Sequence, residues 1–291
     1  VAIFRAKQDG RNTHRCLTPE MQAQSPRALM LENALRRALE REQFTLHYQP
    51  QVGMATGQLR GVEALLRWQH PELGAISPTE FIPLAEDSGQ ILAIGDWVLR
   101  TALAQLRAWQ QAGHAVPSVA GNLSAVQFRQ PGTPERIGQM LAQAELPAHA
   151  LELELTEGVA LDDPQSASAT MDQLNALGVR LAIDDFGTGY SSLSLLKRFP
   201  IHKLKIDQSF VRDLGEDASD RALVSAIVRM AQALGIETTG EGVETVQQLA
   251  FLLEQGCTEA QGYICARPMP GDALRDWLHA HPQAAGKHPV T

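Results

Sequence analysis

Cysteine is scarce in this sequence of 291 residues. The three cysteines, Cys16, Cys257 and Cys265, form no CxxC pair, and their odd number is typical of reduced, structural thiols. The sequence therefore indicates neither a disulfide framework nor a zinc ribbon.

Positive charge and long apolar runs are lacking as well. The formal net charge of -8 argues against sequence-independent binding to long nucleic acid, which depends on clustered Lys and Arg. No apolar run approaches the roughly 20 residues that span a bilayer, and the opening VAIFRAKQDG lacks the apolar core of a signal peptide. We therefore expect a cytoplasmic chain with no membrane contact from this segment. An acidic protein can still bind a small phosphate ligand if metal ions supply the positive charge.

The order of the segments predicts an α/β fold. Residues 1–27 mix charge and proline without a sustained period and predict a linker, whereas the apolar spacing over 30–42 predicts an amphipathic helix. Strand-like runs follow at FTLHYQPQV, GVEALLRW, SVAGNLS, ALELELT, RLAIDD, HKLKID, IETTGEG and TEAQGY. Helices are predicted between most of them, at 91–111, 134–144, 165–177, 220–234 and 245–255. Eight strands with intervening helices predict a (β/α)8 TIM-type barrel, with a doubly wound open sheet as the alternative.

The connection between the first two strand-like runs differs from the others. Only GMATGQLR separates them, which is too short for the helix of a parallel crossover and is rich in turn residues. We therefore predict that the first strand runs antiparallel to the second.

Polar residues recur in or just after these apolar runs, in seven separate segments. They comprise five carboxylates, an Asn, a Lys and a Gln, namely Glu63, Asn122, Glu154, Asp184, Asp185, Lys205, Glu241 and Gln261. Period-two alternation turns several of them toward the barrel interior, near the C-terminal strand ends where barrel enzymes place their chemistry. Buried carboxylates at this density repel one another unless cations hold them together. The oxygen ligands fit a hard cation such as Mg²⁺ or Mn²⁺.

Each motif has a simpler explanation when it is taken alone. The Asp pair before Phe-Gly-Thr-Gly could cap a helix, Asn122 could cap a helix beginning at Ser124, and an inward Lys could only pair with a neighbouring Glu. Even when the residues are taken together, they support two kinds of reaction about equally. One is metal-assisted hydrolysis, and the other is proton abstraction, as in a barrel lyase.

The motifs resemble those of the EAL-domain phosphodiesterases, which hydrolyse the bacterial second messenger cyclic di-GMP. The resemblance runs from about Leu31 to Pro270 and rests on EALLRW, NLS, ELTE, DDFGTGYSSL, KID, EGVE and QGY in the family's order and spacing. It implies metal-dependent hydrolysis to linear pGpG. Because no catalytic position departs from the family's pattern, we expect an active enzyme, with a catalytically silent cyclic di-GMP receptor as the alternative.

The resemblance also implies a role for each site residue. One metal ion would be held by Glu63, Asn122, Glu154 and Asp184, and Asp184 would bridge to a second ion held with Asp185 and Glu241. Lys205 or Glu241 would orient or deprotonate the attacking water, with Glu63 also catalytic. The family uses Mg²⁺ or Mn²⁺, two ions per site, and Ca²⁺ is expected to inhibit. Substrate would be contacted by Gln49, Arg67 and Gln261. Glu157 with the DDFGTGYSS loop would shape the second metal site. Glu244 would support the metal ligands without binding a metal ion itself.

The same resemblance suggests how the chain is organised. AIFRAKQDGRN is similar to the closing segment of GGDEF diguanylate cyclase domains, so residues 1–27 would be the tail of such a domain with a linker. The EAL barrel would occupy 28–280, and 281–291 would form a C-terminal tail. The expected partners are cyclic di-GMP, a second copy of the chain in a homodimer through the barrel, and a preceding GGDEF-like domain.

Overall fold

The computed structural model describes residues 19–188, 196–215, 217–281 and 284, without the side chains of residues 19–25 and 160–162. Its strands are β1 Phe44–Gly53, β2 Leu59–His70, β3 Gly74–Ile76, β4 Val119–Asn122, β5 Leu151–Thr156, β6 Arg180–Phe186, β7 Lys203–Ile206, β8 Glu237–Gly240 and β9 Glu259–Ala260. Its α-helices are α1 Pro19–Leu35, α2 Pro78–Asp87, α3 Ile91–Gln111, α4 Ala125–Phe128, α5 Thr133–Gln143, α6 Glu157–Asp162, α7 Pro164–Leu177, α8 Gln208–Arg212, α9 Ala218–Leu234, α10 Val246–Gln255 and α11 Gly271–Ala280. The described residues fall into two units, the smaller drawn from 19–45 and 67–94 and the larger from 46–66 and the described residues after 94.

The larger unit contains a closed barrel. Eight strands follow the order β1-β9-β8-β7-β6-β5-β4-β2, and a further pairing between β1 and β2 closes the sheet. The pairs from β4 to β9 and the pair β2–β4 are parallel, whereas β1 is antiparallel to β9. This arrangement confirms the TIM-type barrel with an antiparallel first strand and excludes the open sheet.

A tight turn joins β1 to β2, as the short connection predicted. Gly53 donates its amide to the carbonyl of Gln58 at 2.8 Å, and Gly57, at φ 66°, donates to the carbonyl of Gly53 at 2.8 Å. Because the chain reverses within a few residues, no crossover helix is possible, and β1 enters the barrel in the opposite direction.

Strand alternation separates two kinds of buried side chain in the barrel. On β5, Leu151, Leu153 and Leu155 are at most 1% exposed, and the intervening Glu152 and Glu154 are equally buried at 2% and 1%. The leucines face one side of the strand and the carboxylates the other, since successive side chains point in opposite directions. The carboxylates stay buried because they find cationic partners inside the barrel.

The smaller unit is organised around Trp68. The Trp68 ring meets Phe81 edge to face, with ring centroids 5.3 Å apart, and its indole N–H donates to Gln43 Oε1 at 3.0 Å. Strand β3 pairs antiparallel with the end of β2 through Trp68 and Ile76. An aromatic core with a paired indole N–H stabilises this unit.

The predicted helices agree with the structure within a few residues, except the first. Helix α1 begins at Pro19 and ends at Leu35, whereas the apolar spacing predicted 30–42; residues 36–42 form turns instead. These turns close with short-range bonds, such as Arg37 N–H to the Ala34 carbonyl at 3.2 Å. Glu42 adopts a positive φ of 53°, which no continuing helix permits.

In the part of the chain that the structure describes, no helix combines the length and apolar character needed to cross a bilayer.

Candidate metal centre

The parallel register of the barrel strands brings the polar side chains together. Asn122 on β4 lies opposite Glu154 on β5, and Asp184 on β6 lies opposite Thr156 at the end of β5. Glu241 and Gln261 each follow directly after a strand, β8 and β9 respectively. The cluster therefore lies toward the C-terminal strand ends, the position that barrel enzymes use for catalysis.

Lys205 is at the centre of this cluster, with its side chain 1% exposed. Its Nζ atom lies 2.8 Å from Glu154, 2.8 Å from Glu241, 3.2 Å from Asp184 and 3.5 Å from Glu63. When all are ionised, four carboxylates against one ammonium leave three negative charges unbalanced. A buried cluster with such an excess requires protons or further cations.

The protonation equilibria of the cluster reflect this excess. Burial, together with the charge of Glu63, raises the pKa of Glu154 well above its usual range. Burial also raises the pKa of Glu241 to about 8, with the charges of Asp184 and Glu63 adding to the effect and Lys205 opposing it. Protons therefore occupy part of the cluster near neutral pH when no metal ion is bound.

Two groups in the cluster stay charged. Burial by itself would raise the pKa of Glu63, but Lys205 and the side-chain amides of Gln261 and Asn122 bring it below its usual range. Gln261 Nε2 donates to Glu63 Oε2 at 2.6 Å, and Asn122 Nδ2 donates to Glu63 Oε1 at 2.8 Å. For Lys205, burial disfavours the ammonium, but the surrounding carboxylates raise its pKa well above its usual range.

A local irregularity turns both members of the aspartate pair toward one place. The register between β6 and β7 shifts between Ile183 and Phe186, and Asp185 has a positive φ of 53°. Alternation in a regular strand would point Asp184 and Asp185 to opposite faces. Instead, ligand atoms of Asp184, Asp185 and Glu241 all lie within 4.8 Å of one another. Burial and the charge of Asp184 raise the pKa of Asp185 to about 6.

A second layer of charged residues lies toward the N-terminal strand ends of the barrel, and its charges are balanced. Lys203 Nζ lies 2.8 Å from Glu152 and 2.9 Å from Glu259. Arg180 pairs with Glu152 and Glu237, and Arg60 pairs with Glu237 and Glu259. Three cations thus face three carboxylates in this layer. Of the two layers, only the Lys205 layer has an excess of negative charge. Additional cations are therefore needed around Lys205 and not around Lys203.

A cavity of about 290 Å³ opens beside the Lys205 cluster. It is lined by Gln49, Glu63, Leu65, Gln208, Glu241, Gly242, Glu244, Gln261, Gly262, Tyr263 and Pro268. Carboxylate oxygens and amides thus meet at its floor, and the Tyr263 ring, 49% exposed, lies under the guanidinium of Arg267 at 4.0 Å. The donor set is oxygen-rich and unbalanced in charge, which fits hard divalent cations.

Comparison with known proteins identifies the family. The model of the EAL domain family matches residues 32–268, most of the chain. The chain belongs to the EAL-domain family. The resemblance that the sequence motifs suggested is therefore confirmed.

Named relatives of this EAL domain are longer proteins. The chain is 46% identical over 274 residues to the bifunctional diguanylate cyclase/cyclic di-GMP phosphodiesterase MucR of Pseudomonas aeruginosa, covering 94% of this chain and 40% of MucR. It is 41% identical over 277 residues to the cyclic di-GMP phosphodiesterase PdeR of Escherichia coli, covering 95% of this chain and 42% of PdeR. The EAL domain thus spans less than half the length of these relatives.

A solved structure matches the barrel closely. The structure named PaMucR phosphodiesterase, c-di-GMP complex, superposes with a TM-score of 0.82 at 47% identity, covering 84% of this chain and 99% of that one. The part of MucR that resembles this EAL domain is therefore the part described as a phosphodiesterase in that complex.

The structure brings most of the residues singled out in the sequence into one place. Six of them surround Lys205 or its immediate partners: Glu63, Asn122, Glu154, Asp184, Glu241 and Gln261. Asn122 does not cap the helix that follows, because Ser124 is the N-cap of α4. Gln49 lines the cavity, where its Oε1 accepts from Gln261 Nε2 at 3.2 Å. Their roles in binding metal or substrate remain predictions.

Three other residues that the sequence singled out, Glu157, Glu244 and Arg67, are not among the six residues around the central lysine. Glu157 is buried; its Oε2 accepts from the Gly187 amide at 3.4 Å, and its Oε1 has no hydrogen-bond partner among the described residues. Residues 189–192, the second part of the DDFGTGYSS loop, lie outside the described residues. Glu244 is exposed at the rim of the cavity. Arg67 is half-buried on β2 in the smaller unit, and its contact with substrate phosphate remains a prediction.

One residue that sequence analysis missed is Gln51. Its side chain is buried and donates to both Glu154 and Gln261. Period-two alternation from Gln49 would have pointed to it, since residues two apart on a strand share a face. A glutamine in a strand, however, carries no charge that singles it out.

Proposed function

We propose that this EAL domain is a phosphodiesterase that hydrolyses cyclic di-GMP to linear pGpG with two divalent cations, Mg²⁺ or Mn²⁺. The observation that carries the proposal is the excess of carboxylates around Lys205, open to a cavity lined by polar side chains. The similarity to the phosphodiesterase part of MucR, named with cyclic di-GMP in its solved structure, supports this substrate.

The carboxylates and Asn122 would hold the cations. The first ion would be bound by Glu63, Asn122, Glu154 and Asp184, and the second by Asp184, Asp185 and Glu241. When bound, the cations would lower the pKa of a water molecule and offset the charge of the phosphodiester. The cations also matter for binding, because an anionic substrate is repelled by the unbalanced carboxylates of the metal-free cluster.

The chemistry requires addition of one water molecule across a phosphodiester bond. The water oxygen forms a bond to phosphorus, the bond from phosphorus to the 3′ oxygen breaks, and the ring opens to a 5′-phosphate and a free 3′-hydroxyl. An ammonium enclosed by four carboxylates keeps its proton, so we assign Lys205 to orient the water and the phosphate oxygens. Glu241, at the open side of the cluster, is then the residue suited to accept the proton.

The other cavity residues suit a nucleotide. Gln49 and Gln261 offer amide groups at the floor, and Tyr263 offers an aromatic face at the rim. Amides can hydrogen-bond to the edge of a base, and an aromatic face can stack on it. Arg67 would contact a substrate phosphate, as the family resemblance implies.

We also propose that the chain works as part of a longer protein. The relatives are more than twice as long as the matched segment, and MucR is named as a diguanylate cyclase as well as a phosphodiesterase. This supports a GGDEF-like domain preceding the EAL barrel. A homodimer through the barrel follows from the family resemblance alone.

A direct assay tests the proposal. The purified chain is freed of metal with a chelator, incubated with cyclic di-GMP and either MgCl₂ or MnCl₂, and the nucleotides are separated over time. We expect pGpG to accumulate only with metal. Binding of cyclic di-GMP without any product would identify a silent receptor instead, and hydrolysis at full rate in excess chelator would contradict the metal mechanism.

The assay has a matched pair of variants. Glu63→Ala removes a carboxylate from the cluster, whereas Glu254→Ala removes an exposed carboxylate from α10. Loss of activity in the first and not in the second would tie turnover to the cluster.

A further inference from the structure

Three buried glutamines beside the carboxylate cluster form a row that is joined by hydrogen bonds. Gln49 and Gln51 extend from β1, the antiparallel strand, and Gln261 follows β9; the three residues are 8%, 1% and 4% exposed. Each lies against the next within hydrogen-bond distance. Buried amides of this kind are costly unless their donors and acceptors are paired.

The direction of every amide in this row is determined by its ends. At one end Gln49 Nε2 donates to the backbone carbonyl of Ala266 at 3.1 Å, which leaves Gln49 Oε1 to accept from Gln261 at 3.2 Å. At the other end the carboxylate of Glu63 accepts from Gln261 Nε2 and, when ionised, cannot donate. The amide oxygen of Gln261 therefore faces Gln51, and the Gln51 amide turns its N–H groups toward Gln261 and Glu154.

Gln51 is the residue that joins the two carboxylates through this row. Its Nε2 donates to Gln261 Oε1 at 3.1 Å and to Glu154 Oε1 at 3.4 Å. Gln261 in turn donates to Glu63 Oε2 at 2.6 Å. Both hydrogens of the Gln51 amide are thus used. One is donated to the Glu154 carboxylate, and the other is donated to Gln261, which itself donates to the Glu63 carboxylate.

The hydrogen bond from Gln51 matters most for the orientation of the Glu154 carboxylate. Glu154 is 1% exposed, and its two oxygens have different partners: Oε2 pairs with Lys205 at 2.8 Å and Oε1 accepts from Gln51. Without Gln51, Oε1 would lose a neutral donor in a buried site, and only the Lys205 contact at Oε2 would hold the terminal torsion of the carboxylate. Partners of metal-binding residues that fix their orientation commonly contribute tenfold or more to metal affinity.

We propose that Gln51 is a positioning residue for the metal site, acting through Glu154 and through Gln261 on Glu63. The inference rests on the proposed function, since it assumes that these carboxylates bind divalent cations. Gln51 itself contacts neither the cations nor the substrate. Its side chain holds the oxygens of two carboxylates in the orientation in which the cations meet them.

The test measures Mn²⁺ binding in the absence of nucleotide, in Gln51→Met and in the unaltered chain. Methionine keeps the length and much of the volume of glutamine but has no N–H donor. Titration of the chelator-treated proteins with MnCl₂, followed by the electron paramagnetic resonance signal of free Mn²⁺, gives the dissociation constant. We expect Gln51→Met to bind Mn²⁺ about 10- to 100-fold more weakly. At saturating Mn²⁺, its KM for cyclic di-GMP should change by less than about threefold, while kcat falls.

Thr239→Val provides the matched control. Thr239 is fully buried and donates to Glu259 Oε2 at 3.1 Å in the balanced Lys203 layer. The substitution removes a buried hydrogen bond to a carboxylate, so it should lower the melting temperature but leave Mn²⁺ affinity unchanged. Equal Mn²⁺ affinity in Gln51→Met and the unaltered chain would overturn the inference and leave Gln51 a packing residue.

A second variant and the behaviour of the unaltered chain separate failure of this inference from failure of the proposed function. If Gln51→Met does not fold, Gln51→Asn is measured on the same criterion, because its shorter amide cannot reach both acceptors; unchanged Mn²⁺ affinity there would also overturn the inference. If the unaltered chain binds Mn²⁺ and forms pGpG while the variants behave identically, only the role of Gln51 fails. If the unaltered chain does neither, the proposed function fails.

Discussion

Metal binding to this EAL domain should release protons, and its affinity should therefore depend on pH. In the metal-free protein, burial raises the pKa of Glu241 to about 8 and that of Asp185 to about 6. A carboxylate must lose its proton to bind a divalent cation, so protons and cations compete for the same oxygens.

The size of the effect follows from these two pKa values. A group with a pKa of about 8 is half ionised at pH 8 and about 1% ionised at pH 6, which weakens apparent affinity about fiftyfold. Asp185, half ionised at pH 6, adds about a factor of two. These two groups should make Mn²⁺ bind about 100-fold more weakly at pH 6 than at pH 8, and protonation of Glu154 should add to the effect.

Titration calorimetry with MnCl₂ measures this directly. Dissociation constants at the two pH values, in buffers of equal ionic strength, give the change in affinity. Repeating the titration at pH 7 in two buffers with different heats of ionisation counts the protons released; Glu241 accounts for about one, and Glu154, whose pKa is also raised, should add to the count. In Glu241→Gln the group with a pKa of about 8 is gone, so the pH dependence should shrink, and what remains is due to Asp185 and Glu154.

As pH rises, the affinity for Mn²⁺ should increase, whereas the stability of the metal-free protein should decrease. Because the pKa of Glu241 is higher in the folded than in the unfolded chain, its contribution to stability is complete below pH 4 and is lost as pH rises through about 8. The melting temperature without metal should fall between pH 6 and pH 9, and saturating Mn²⁺ should abolish the fall. Affinity that is equal at pH 6 and pH 8, with no proton release, would refute the charge excess on which this reasoning depends.

Three further results are expected. Glu63→Ala should lower pGpG formation by about two to three orders of magnitude, because one ligand of the first cation is lost, while the protein still melts cooperatively. Ca²⁺, which is larger and accepts looser geometry, should support binding of cyclic di-GMP but little hydrolysis. Gly262→Ala should destabilise the chain by about 3 kcal/mol, since the added methyl would lie 2.2 Å from the Val243 carbonyl oxygen.

Each of these results has an outcome that would contradict it. Undiminished pGpG formation by Glu63→Ala would remove Glu63 from the metal site, and full turnover with Ca²⁺ would argue against strict metal geometry. For Gly262→Ala the matched control is Gly57→Ala, where no atom lies within 4 Å of the added methyl and only the positive φ is unfavourable, costing about 1 kcal/mol. Equal melting temperatures for the two variants would mean that the contact with Val243 relaxes at little cost.

Much of the barrel could be predicted because its pattern is local. Strand alternation in LELELTE and KLKID places Glu154 and Lys205 on the interior face without any knowledge of their neighbours. The hairpin between β1 and β2 follows from a connection too short for a helix. The end of α1 was harder, because apolar residues continue past Leu35 while the backbone turns.

The aspartate pair marks where local pattern stops being sufficient. Adjacent residues on a regular strand face opposite sides, so alternation alone places only Asp184 in the interior. The register shift after Ile183 and the positive φ of Asp185 turn the second carboxylate toward Glu241. Such a bulge depends on pairing with β7, which no window of the sequence contains.

The sequence by itself determined the kinds of chemical group, their approximate faces and the family. Those properties depend on residue type and on a period of two, both of which are carried by short segments. Tertiary structure alone decided which carboxylates share Lys205, and that Lys203 lies in a balanced layer while Lys205 lies in a negative one. It also decided that Gln51 meets Gln261 across 210 positions of the chain. Charge balance and hydrogen bonding depend on distances between strands, and these are set only when the barrel closes.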